Sequence, residues 1–416
     1  MEHVDRADAI AALSTQNGQH EQAHRKDPVD PRRRLTYRLM IGKPWCRSSM
    51  TLIATFSIHG LPFALGDLLI SGNERSDSTP FVPSVGPVTN VFPLGSGYSI
   101  IGLQQKVNIL SEDCVIAWSG SVVHARVAIK ELRQLANTGQ LDRIALDKYI
   151  ADHRCDIEHN IELLGWVRER NQIVSFSYPA IEASRAGPFG HLRASGSGTS
   201  RFHSLLSNLP ATPSRVGETT KPSDRAFASV AYAMCCLIEQ ELITQGTLTE
   251  YFGGWWELVF HDGKKFAKLS DVTFVFWEVE SNASVLQLKF PKHVVKQDYV
   301  GDVLRMHLAR QNDDHSYSHE CYFATSIDSK TSDEEKRKLQ NKPLSSMNSN
   351  WICHCISCRI GDKIYSFVRI EKIDNGSHPS VLFYNESDRL TAVVSHEFTQ
   401  AALSALEQEM HRHGET

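Results

Sequence analysis

The stretch from Met50 to Asp67, MTLIATFSIHGLPFALGD, constrains the fold more than any other part of the chain. Two apolar runs, TLIATFSI and LPFALGDLLISG, are joined by a His-Gly pair that is typical of a tight turn. Strands that are apolar on both faces are usually buried on both sides, inside a layered fold. The sequence therefore predicts a central β-hairpin that begins at Thr51.

The residues before this hairpin have a different composition. The segment QNGQHEQAHRKDPVDPRRRL is charged and interrupted by prolines, so it cannot bury enough apolar surface to offset the entropy of ordering. We expect residues 1–49 to be disordered. They are either a pro-segment that is cleaved or the product of a start codon assigned too far upstream, and the second interpretation is favoured because Met50 directly precedes Thr51.

Strand-like and helix-like segments alternate after the hairpin. YSIIGLQQKVNIL, CVIAWSGS and NQIVSFSYPA have the pattern of strands, and GGWWELVFHDGKKFAKLSDVTFVFWEVE that of a hairpin. Helical periodicity is found in VVHARVAIKELRQLA, in LDKYIADHRCDIEHNIELLGWV and in the long apolar segment AFASVAYAMCCLIEQELITQ, which we expect to be a central buried helix. This order of elements predicts a layered α+β sandwich.

Length and charge limit the domain organisation and the partners. A chain of 416 residues with 41% hydrophobic residues is long enough for one main domain, predicted at 51–290, and an extension at 291–416 of unknown role. The net charge of -4 gives no reason to expect a nucleic acid or an anionic membrane as partner. Because neither an apolar run of membrane-spanning length nor a secretory signal is evident, we expect a cytoplasmic protein.

Thr51 has a special chemistry if it is the first residue of the mature chain. A threonine hydroxyl in mid-chain is a weak nucleophile because nothing nearby takes its proton. At the N-terminus the free α-amino group, with a pKa near 8, lies on the same residue and acts as its base. Threonine is also small enough for an initiator methionine to be removed from it, so Met50 is compatible with a mature chain that starts at Thr51.

Four further residues follow in a suggestive order. Asp67 lies sixteen residues after Thr51, Lys106 begins the strand-like KVNIL, Gly120 follows Lys106 by fourteen residues, and Ser197 lies in SGSGTS. In these residues and their order, the segment from Thr51 to about residue 280 resembles the proteasome β-subunits and the bacterial peptidase HslV, which are threonine N-terminal nucleophile (Ntn) hydrolases.

The resemblance implies a fold, an activity and partners. The implied fold is a four-layer αββα Ntn-hydrolase sandwich, here with a C-terminal α/β extension. The implied activity is hydrolysis of amide bonds in a peptide or protein through an ester on the Thr51 hydroxyl, without a cofactor or a metal. The family typically assembles into rings, so we expect a homo-oligomer, and an ATPase that feeds substrates is compatible with this interpretation.

The resemblance also implies a role for each site residue. Asp67 would hold the Lys106 ammonium, whose charge lowers the cost of deprotonating the Thr51 hydroxyl. A Gly120 amide would donate to the oxyanion, and Ser197 would bind the α-amine and relay protons through water.

One part of the family pattern is missing. The family has an aspartate and a serine just before a Gly-Gly pair, whereas TEYFGGWW has Thr249 and Phe252 at those places and Glu250 one position away. Glu250 is a candidate substitute for the aspartate. The departure also leaves open an alternative function, a catalytically defective proteasome-like module for assembly or regulatory binding.

Other candidate sites are weaker. In WICHCISCRI, the residues Cys353, His354, Cys355 and Cys358 are potential metal ligands, but the alternation with isoleucine favours buried thiols in a strand. Ser197 with His191 or His203 lacks the strand-to-helix context of a serine hydrolase elbow. Trp255 and Trp256 are either pocket or core residues. Cys46 is a candidate nucleophile only if the leader is ordered.

Overall fold

The computed structural model describes most of the chain from Met50 onward. It covers residues 50–412, except for 74–80, 89–90, 93–95, 210–220, 283–284, 341–346, 374–378 and 387–388. The described residues belong to one unit, Arg47–Thr416. The predictions for residues 1–49, including Cys46, lie outside the described residues.

The described residues form twenty-three strands, eight helices and one short 3-10 turn at Gly187–Phe189. The strands of the first half are β1 (Ile53–Ile58), β2 (Leu61–Asp67), β3 (Leu69–Gly72), β4 (Phe81–Val82), β5 (Gly86–Pro87), β6 (Ser99–Leu103), β7 (Val107–Ser111), β8 (Cys114–Gly120), β9 (Ile161–Glu169), β10 (Gln172–Tyr178), β11 (Ser184–Arg185) and β12 (His191–Ser195). Those of the second half are β13 (Trp256–His261), β14 (Phe266–Lys268), β15 (Val272–Asn282), β16 (Val285–Leu288), β17 (His293–Val300), β18 (Val303–Gln311), β19 (Tyr317–Thr325), β20 (Trp351–Ile360), β21 (Lys363–Lys372), β22 (Val381–Glu386) and β23 (Arg389–Val394). The helices are α1 (Val122–Asn137), α2 (Arg143–Asp152), α3 (Arg154–Ile157), α4 (Thr199–Asn208), α5 (Pro222–Thr244), α6 (Gly246–Thr249), α7 (Asp333–Gln340) and α8 (His396–Arg412).

The predicted hairpin is confirmed. β1 and β2 pair antiparallel, from Ile53 opposite Gly66 to Ile58 opposite Leu61. His59 and Gly60 form the two-residue turn with φ of 51° and 79°, the conformation that a tight hairpin turn requires. The hairpin lies in the middle of a six-stranded sheet with the order β11-β12-β1-β2-β13-β14.

A second sheet packs against the first. Its order is β10-β9-β8-β7. Buried side chains of both sheets form one cluster, which includes Ile53, Ala64, Val107, Ala117, Leu164 and Val259. Helices α1 and α2 cover the other face of the second sheet through side chains such as Ile129, Leu132, Leu146 and Ile150. Because both faces of β8 are covered, its residues from Cys114 to Ser119 are buried.

A third sheet covers the long helix α5. It has the order β19-β18-β17-β15-β20-β21, with β16 paired to β15. α5 contributes Phe227, Val230 and Met234 to a core that also contains Leu65 of the first sheet and Cys355 of the third. Helix α8 packs on the other side of the third sheet through residues that include Phe398 and Leu406.

The predicted four-layer αββα sandwich with a C-terminal α/β extension is wrong. The structure is mostly β, with 44% strands in several small sheets and 29% helices. β15 was predicted as part of a hairpin in the first domain, but it pairs in parallel with β20, about eighty residues later. Helix α5 therefore lies under a third sheet and is not an outer helical layer. The third sheet takes strands from both sides of residue 290, and the division predicted there remains a prediction.

Two helix predictions have different outcomes. The helical pattern predicted through LDKYIADHRCDIEHNIELLGWV ends at Ile157, because residues from Ile161 onward pair with β8 and β10 as β9. The central helix is confirmed as α5, and 67% of its apolar window is buried. By length and composition α5 could also cross a membrane, but its burial is that of an interior helix.

Candidate functional site

Thr51 lies two residues before β1, at the open end of the central hairpin. Its side-chain Oγ1 donates a hydrogen bond to Asp67 Oδ1 and accepts one from Lys106 Nζ, which is 2.5 Å away. Thr51 is only 2% exposed. The hydroxyl is thus held between a carboxylate and an amine, away from solvent.

Asp67 reaches Thr51 because the hairpin register places the end of β2 opposite the start of β1. The amide of Leu52 donates to Oδ1 at 3.1 Å, and the amide of Gly253 donates to Oδ2 at 2.8 Å. Asp67 is fully buried, and burial raises the pKa of its carboxyl, while the charge of Lys106 opposes this shift.

Lys106 enters the site from the residue before β7. Its Nζ lies 2.5 Å from Asp67 Oδ1 and 2.6 Å from the carbonyl oxygen of Leu69. Burial lowers the pKa of the Lys106 ammonium, and the charge of Asp67 opposes this shift. Burial thus favours the neutral form of both side chains. The ion-pair contact between Lys106 and Asp67 favours their charged forms.

A second buried carboxylate supports the lysine. Glu257 Oε1 accepts hydrogen bonds from the amides of Lys106 and Val107, and Oε2 pairs with Lys268 Nζ at 2.6 Å. Its charge also opposes the fall in the pKa of Lys106. The sequence analysis missed Glu257, which is fully buried in strand β13; the only sequence signal was a single glutamate within the apolar run WELVFH.

The loop after β12 contacts the backbone of Thr51. The amide of Gly198 donates to the Thr51 carbonyl oxygen at 3.2 Å, and Ser197 Oγ lies 3.5 Å from the same oxygen. A Cβ on Gly196 would lie 2.0 Å from that oxygen, and its φ is +98°, so only glycine fits there. Ser197 thus adjoins Thr51, but its contact is with the carbonyl oxygen and not with the nitrogen.

Gly120 is not brought to Thr51 by any hydrogen bond between described residues. It ends β8, opposite Ile161, and a Cβ there would lie 2.3 Å from the Asn160 carbonyl oxygen. Its neighbour Ser119 donates to Glu162, which also accepts a hydrogen bond from Ser195. Glu162 was another residue missed from the sequence, and it links the end of β8 to Ser195 at the end of β12.

Glu250 does not join the site. It pairs with Arg201 of α4 in a partly exposed ion pair. Phe252 is fully buried in the core, and Thr249 Oγ1 donates to the Gly246 carbonyl oxygen. The missing acidic residue of the family pattern is therefore not replaced at the position considered from the sequence.

The cysteine-rich strand does not gather four ligands. Strand alternation in β20 places Cys353 and Cys355 in the core beneath α5, whereas Cys358 belongs to the cluster on the opposite face. His354 Nδ1 accepts a hydrogen bond from Trp277. Within the described ranges, no group of three His, Cys, Asp or Glu side chains is placed to hold a metal ion.

The two tryptophans and the two histidines considered from the sequence are also located in the structure. Trp255 and Trp256 are fully buried in the core, and Trp255 Nε1 donates to Gln297. His191 is exposed on β12 and His203 lies on α4. The tryptophan pair is therefore core and not the lining of an open pocket.

The arrangement has one main chemical capability. A hydroxyl, an amine and a carboxylate meet in a site shielded from water, where a positive charge beside the oxygen favours its deprotonation. In the chain with Met50 attached, the Thr51 nitrogen is an amide and cannot act as a base. Met50 itself is half-buried, and its sulfur accepts a hydrogen bond from Ser71 at 3.1 Å.

Comparison with known proteins gives no further assignment. No family model matches this chain, and no curated protein sequence matches it. The resemblance to threonine hydrolases therefore remains a prediction from the residues themselves.

Proposed function

We propose that the protein is a threonine-type amide hydrolase whose nucleophile is the Thr51 hydroxyl. The observation that carries this proposal is that Thr51 Oγ1 contacts both Lys106 Nζ and Asp67 Oδ1, with all three residues at most 2% exposed. Buried charged groups are costly, and functional sites are where such arrangements concentrate.

The active form begins at Thr51. Removal of Met50 and everything before it converts the Thr51 amide into an α-amine, whose pKa near 8 leaves part of it neutral at working pH. The free α-amine is required, because the hydroxyl has no other base in this proposal.

The reaction then proceeds in two acyl-transfer steps. Oγ1 attacks the carbonyl carbon of an amide bond while its proton passes to the α-amine, and Lys106 lowers the cost of the negative charge that develops on Oγ1 as the hydroxyl loses that proton; the oxyanion forms on the substrate carbonyl oxygen. The C–N bond breaks, and the leaving amine takes the proton. Water attacks the resulting ester, Oγ1 regains a proton, and the carboxylic acid is released.

The substrate class and the assembly belong to the same proposal. We propose a peptide or protein substrate and a homo-oligomer in the cytoplasm, with an ATPase as a candidate partner.

Gly198 offers an amide beside the Thr51 carbonyl oxygen, and Ser197 lies next to it. In this proposal Ser197, whose Oγ lies 3.5 Å from the Thr51 carbonyl oxygen in the uncleaved chain, binds the α-amine after cleavage.

The test is labelling of the hydroxyl by a β-lactone in chains with a defined N-terminus. We expect the chain that begins at Thr51 to form one ester adduct, and Thr51→Ser to retain it. Thr51→Ala should lose the adduct. Thr138→Ala, at an exposed threonine that ends α1, is the matched control and should label like the unmodified chain.

Absence of an adduct in the chain that begins at Thr51 would count against hydrolysis. The alternative, a binding module without catalysis, predicts that outcome in all four chains. An adduct that survives Thr51→Ala would mean that another residue is the nucleophile.

A further inference from the structure

Two buried carboxylates are bound by consecutive peptide amides. The Gly253 amide donates to Asp67 at 2.8 Å, and the next amide, that of Gly254, donates to Glu241 Oε2 at 3.0 Å. Glu241 lies near the end of α5 and is fully buried. A single two-residue turn therefore connects Glu241 with the Asp67–Lys106 pair.

Glu241 is held by neutral donors. Ser84 Oγ donates to Oε1, and Thr247 Oγ1 donates to Oε2 at 2.7 Å. Among the described residues, no Lys or Arg side chain forms an ion pair with Glu241. Burial raises the pKa of this carboxyl to about 7, and the charge of Asp67 adds to the rise.

The Gly-Gly turn is shaped around this carboxylate. Gly253 has a φ of +117°, and a Cβ there would lie 1.9 Å from Glu241 Oε2. Gly254 has a φ of +75°. The two glycines thus satisfy both the left-handed backbone and the close approach of Glu241, which explains the glycine pair without a catalytic role for the residues just before it.

We propose that Glu241 is a positioning residue that couples its own charge to the Asp67–Lys106 pair through the Gly253–Gly254 turn. The ionised carboxylate holds the Gly254 amide and places a second negative charge near Asp67. Protonation removes that charge, and with it part of the preference of Lys106 for the ammonium form. The consequence for catalysis rests on the proposed function, but the coupling itself does not.

The charged groups around Lys106 determine how ionisation of Glu241 changes the pKa of Lys106. Lys106 faces Asp67 directly, and the Glu257–Lys268 pair lies behind the Lys106 backbone. Burial raises the pKa of Glu241 to about 7, so passage through neutral pH adds one negative charge on the far side of the Gly253–Gly254 turn from Asp67.

The experiment follows Lys106 directly by NMR in protein labelled with ¹³C at lysine Cε. The Lys106 signal is assigned by its loss in Lys106→Arg, and the pH is varied from about 5 to about 10. We expect an inflection near the pKa of Glu241 in addition to the titration of Lys106 itself. In Glu241→Gln, the first inflection should vanish, and the Lys106 midpoint should fall by about 0.5 to 1 pH unit.

Two further variants separate coupling from a purely structural role. Thr247→Val removes a donor to the charged carboxylate, so the first inflection should move to higher pH. Glu250→Gln changes a partly exposed carboxylate that lies nine residues after Glu241 and three before Gly253 in the chain, and it should leave both inflections in place. If Glu241 had only a structural role, Thr247→Val would not move an inflection of the Lys106 signal to higher pH.

The outcomes are distinct from those of the labelling test. A wild-type Lys106 signal without an inflection near neutral pH, or one unchanged by Glu241→Gln, overturns the coupling. If Glu241→Gln fails to fold, the direction of the shift in Thr247→Val decides. A Lys106 signal that responds to Glu241 in a chain that never labels at Thr51 would refute the hydrolase proposal and leave the coupling standing.

Discussion

The buried pair of Lys106 and Asp67 predicts a large and non-additive effect on stability. Lys106→Met removes three contacts of Nζ, to Asp67 at 2.5 Å, to Thr51 at 2.5 Å and to the Leu69 carbonyl oxygen at 2.6 Å. It leaves Asp67 fully buried without its counter-charge. Breaking such a pair costs about 3–5 kcal/mol. We expect about 3 kcal/mol, at the lower end, because the Leu52 and Gly253 amides still donate to the carboxylate.

Asp67→Asn should cost a similar amount, because it leaves the ammonium buried. The double variant Asp67→Asn/Lys106→Met leaves no buried charge from the pair, so it should cost about 3 kcal/mol and not the sum of about 6 kcal/mol. Equilibrium unfolding in urea measures each free energy of unfolding. Lys338→Met, which breaks the exposed pair with Glu334, is the control and should change little.

A coupling free energy below about 0.5 kcal/mol would refute this reasoning, since residues in direct contact in a buried pair cannot contribute independently. Additive losses would mean that the two side chains do not face each other in the folded protein. The proposed site would then lose its electrostatic basis.

Three further predictions concern other parts of the structure. Gly196→Ala should lower the free energy of unfolding, measured in urea, several times more than Gly301→Ala. Both glycines have a positive φ, but only at Gly196 would a Cβ lie against the Thr51 carbonyl oxygen. Equal losses would contradict this close approach. The raised pKa of Glu241 means that its folded state binds the proton more tightly, so its contribution to stability should be lost as pH rises from about 4.5 to about 7, by up to about 3 kcal/mol. Glu241→Gln should flatten that part of the pH profile of unfolding, and an unchanged slope would contradict it. Exposed Cys155 should react rapidly with maleimide in the native protein, as measured by peptide mass spectrometry, while buried Cys353 reacts only on unfolding; rapid reaction of Cys353 would contradict its burial.

The sequence was most informative where the structure is local. The hairpin could be predicted because the His-Gly turn and the apolar runs are adjacent in the chain. The hairpin register, with Ile53 opposite Gly66, continues to Leu52 opposite Asp67, so the tight turn brings Asp67 beside Thr51, the next residue along. Lys106 is farther from Thr51 in the chain, so its position beside Thr51 could be predicted only from the order of the strands and helices.

The errors have a common physical cause, which is pairing over long distances in the chain. The parallel pairing of β15 with β20 has no local signal, and it overturned the four-layer sandwich. Glu257 and Glu241 were missed because a buried glutamate is recognised only when its partners are known, and those partners come from distant segments. Glu250 was considered for its position near the Gly-Gly pair, but Arg201 on another helix holds it elsewhere.

The N-terminal residue of the mature protein decides whether Thr51 can be the nucleophile. Intact mass and N-terminal sequencing of the protein purified from the cells that make it give that residue without any probe. We expect a chain that begins at Thr51 with a free α-amine. A mature chain that retains Met50 and the residues before it would rule out Thr51 as the nucleophile, because the Thr51 nitrogen would remain an amide and the hydroxyl would lack its base.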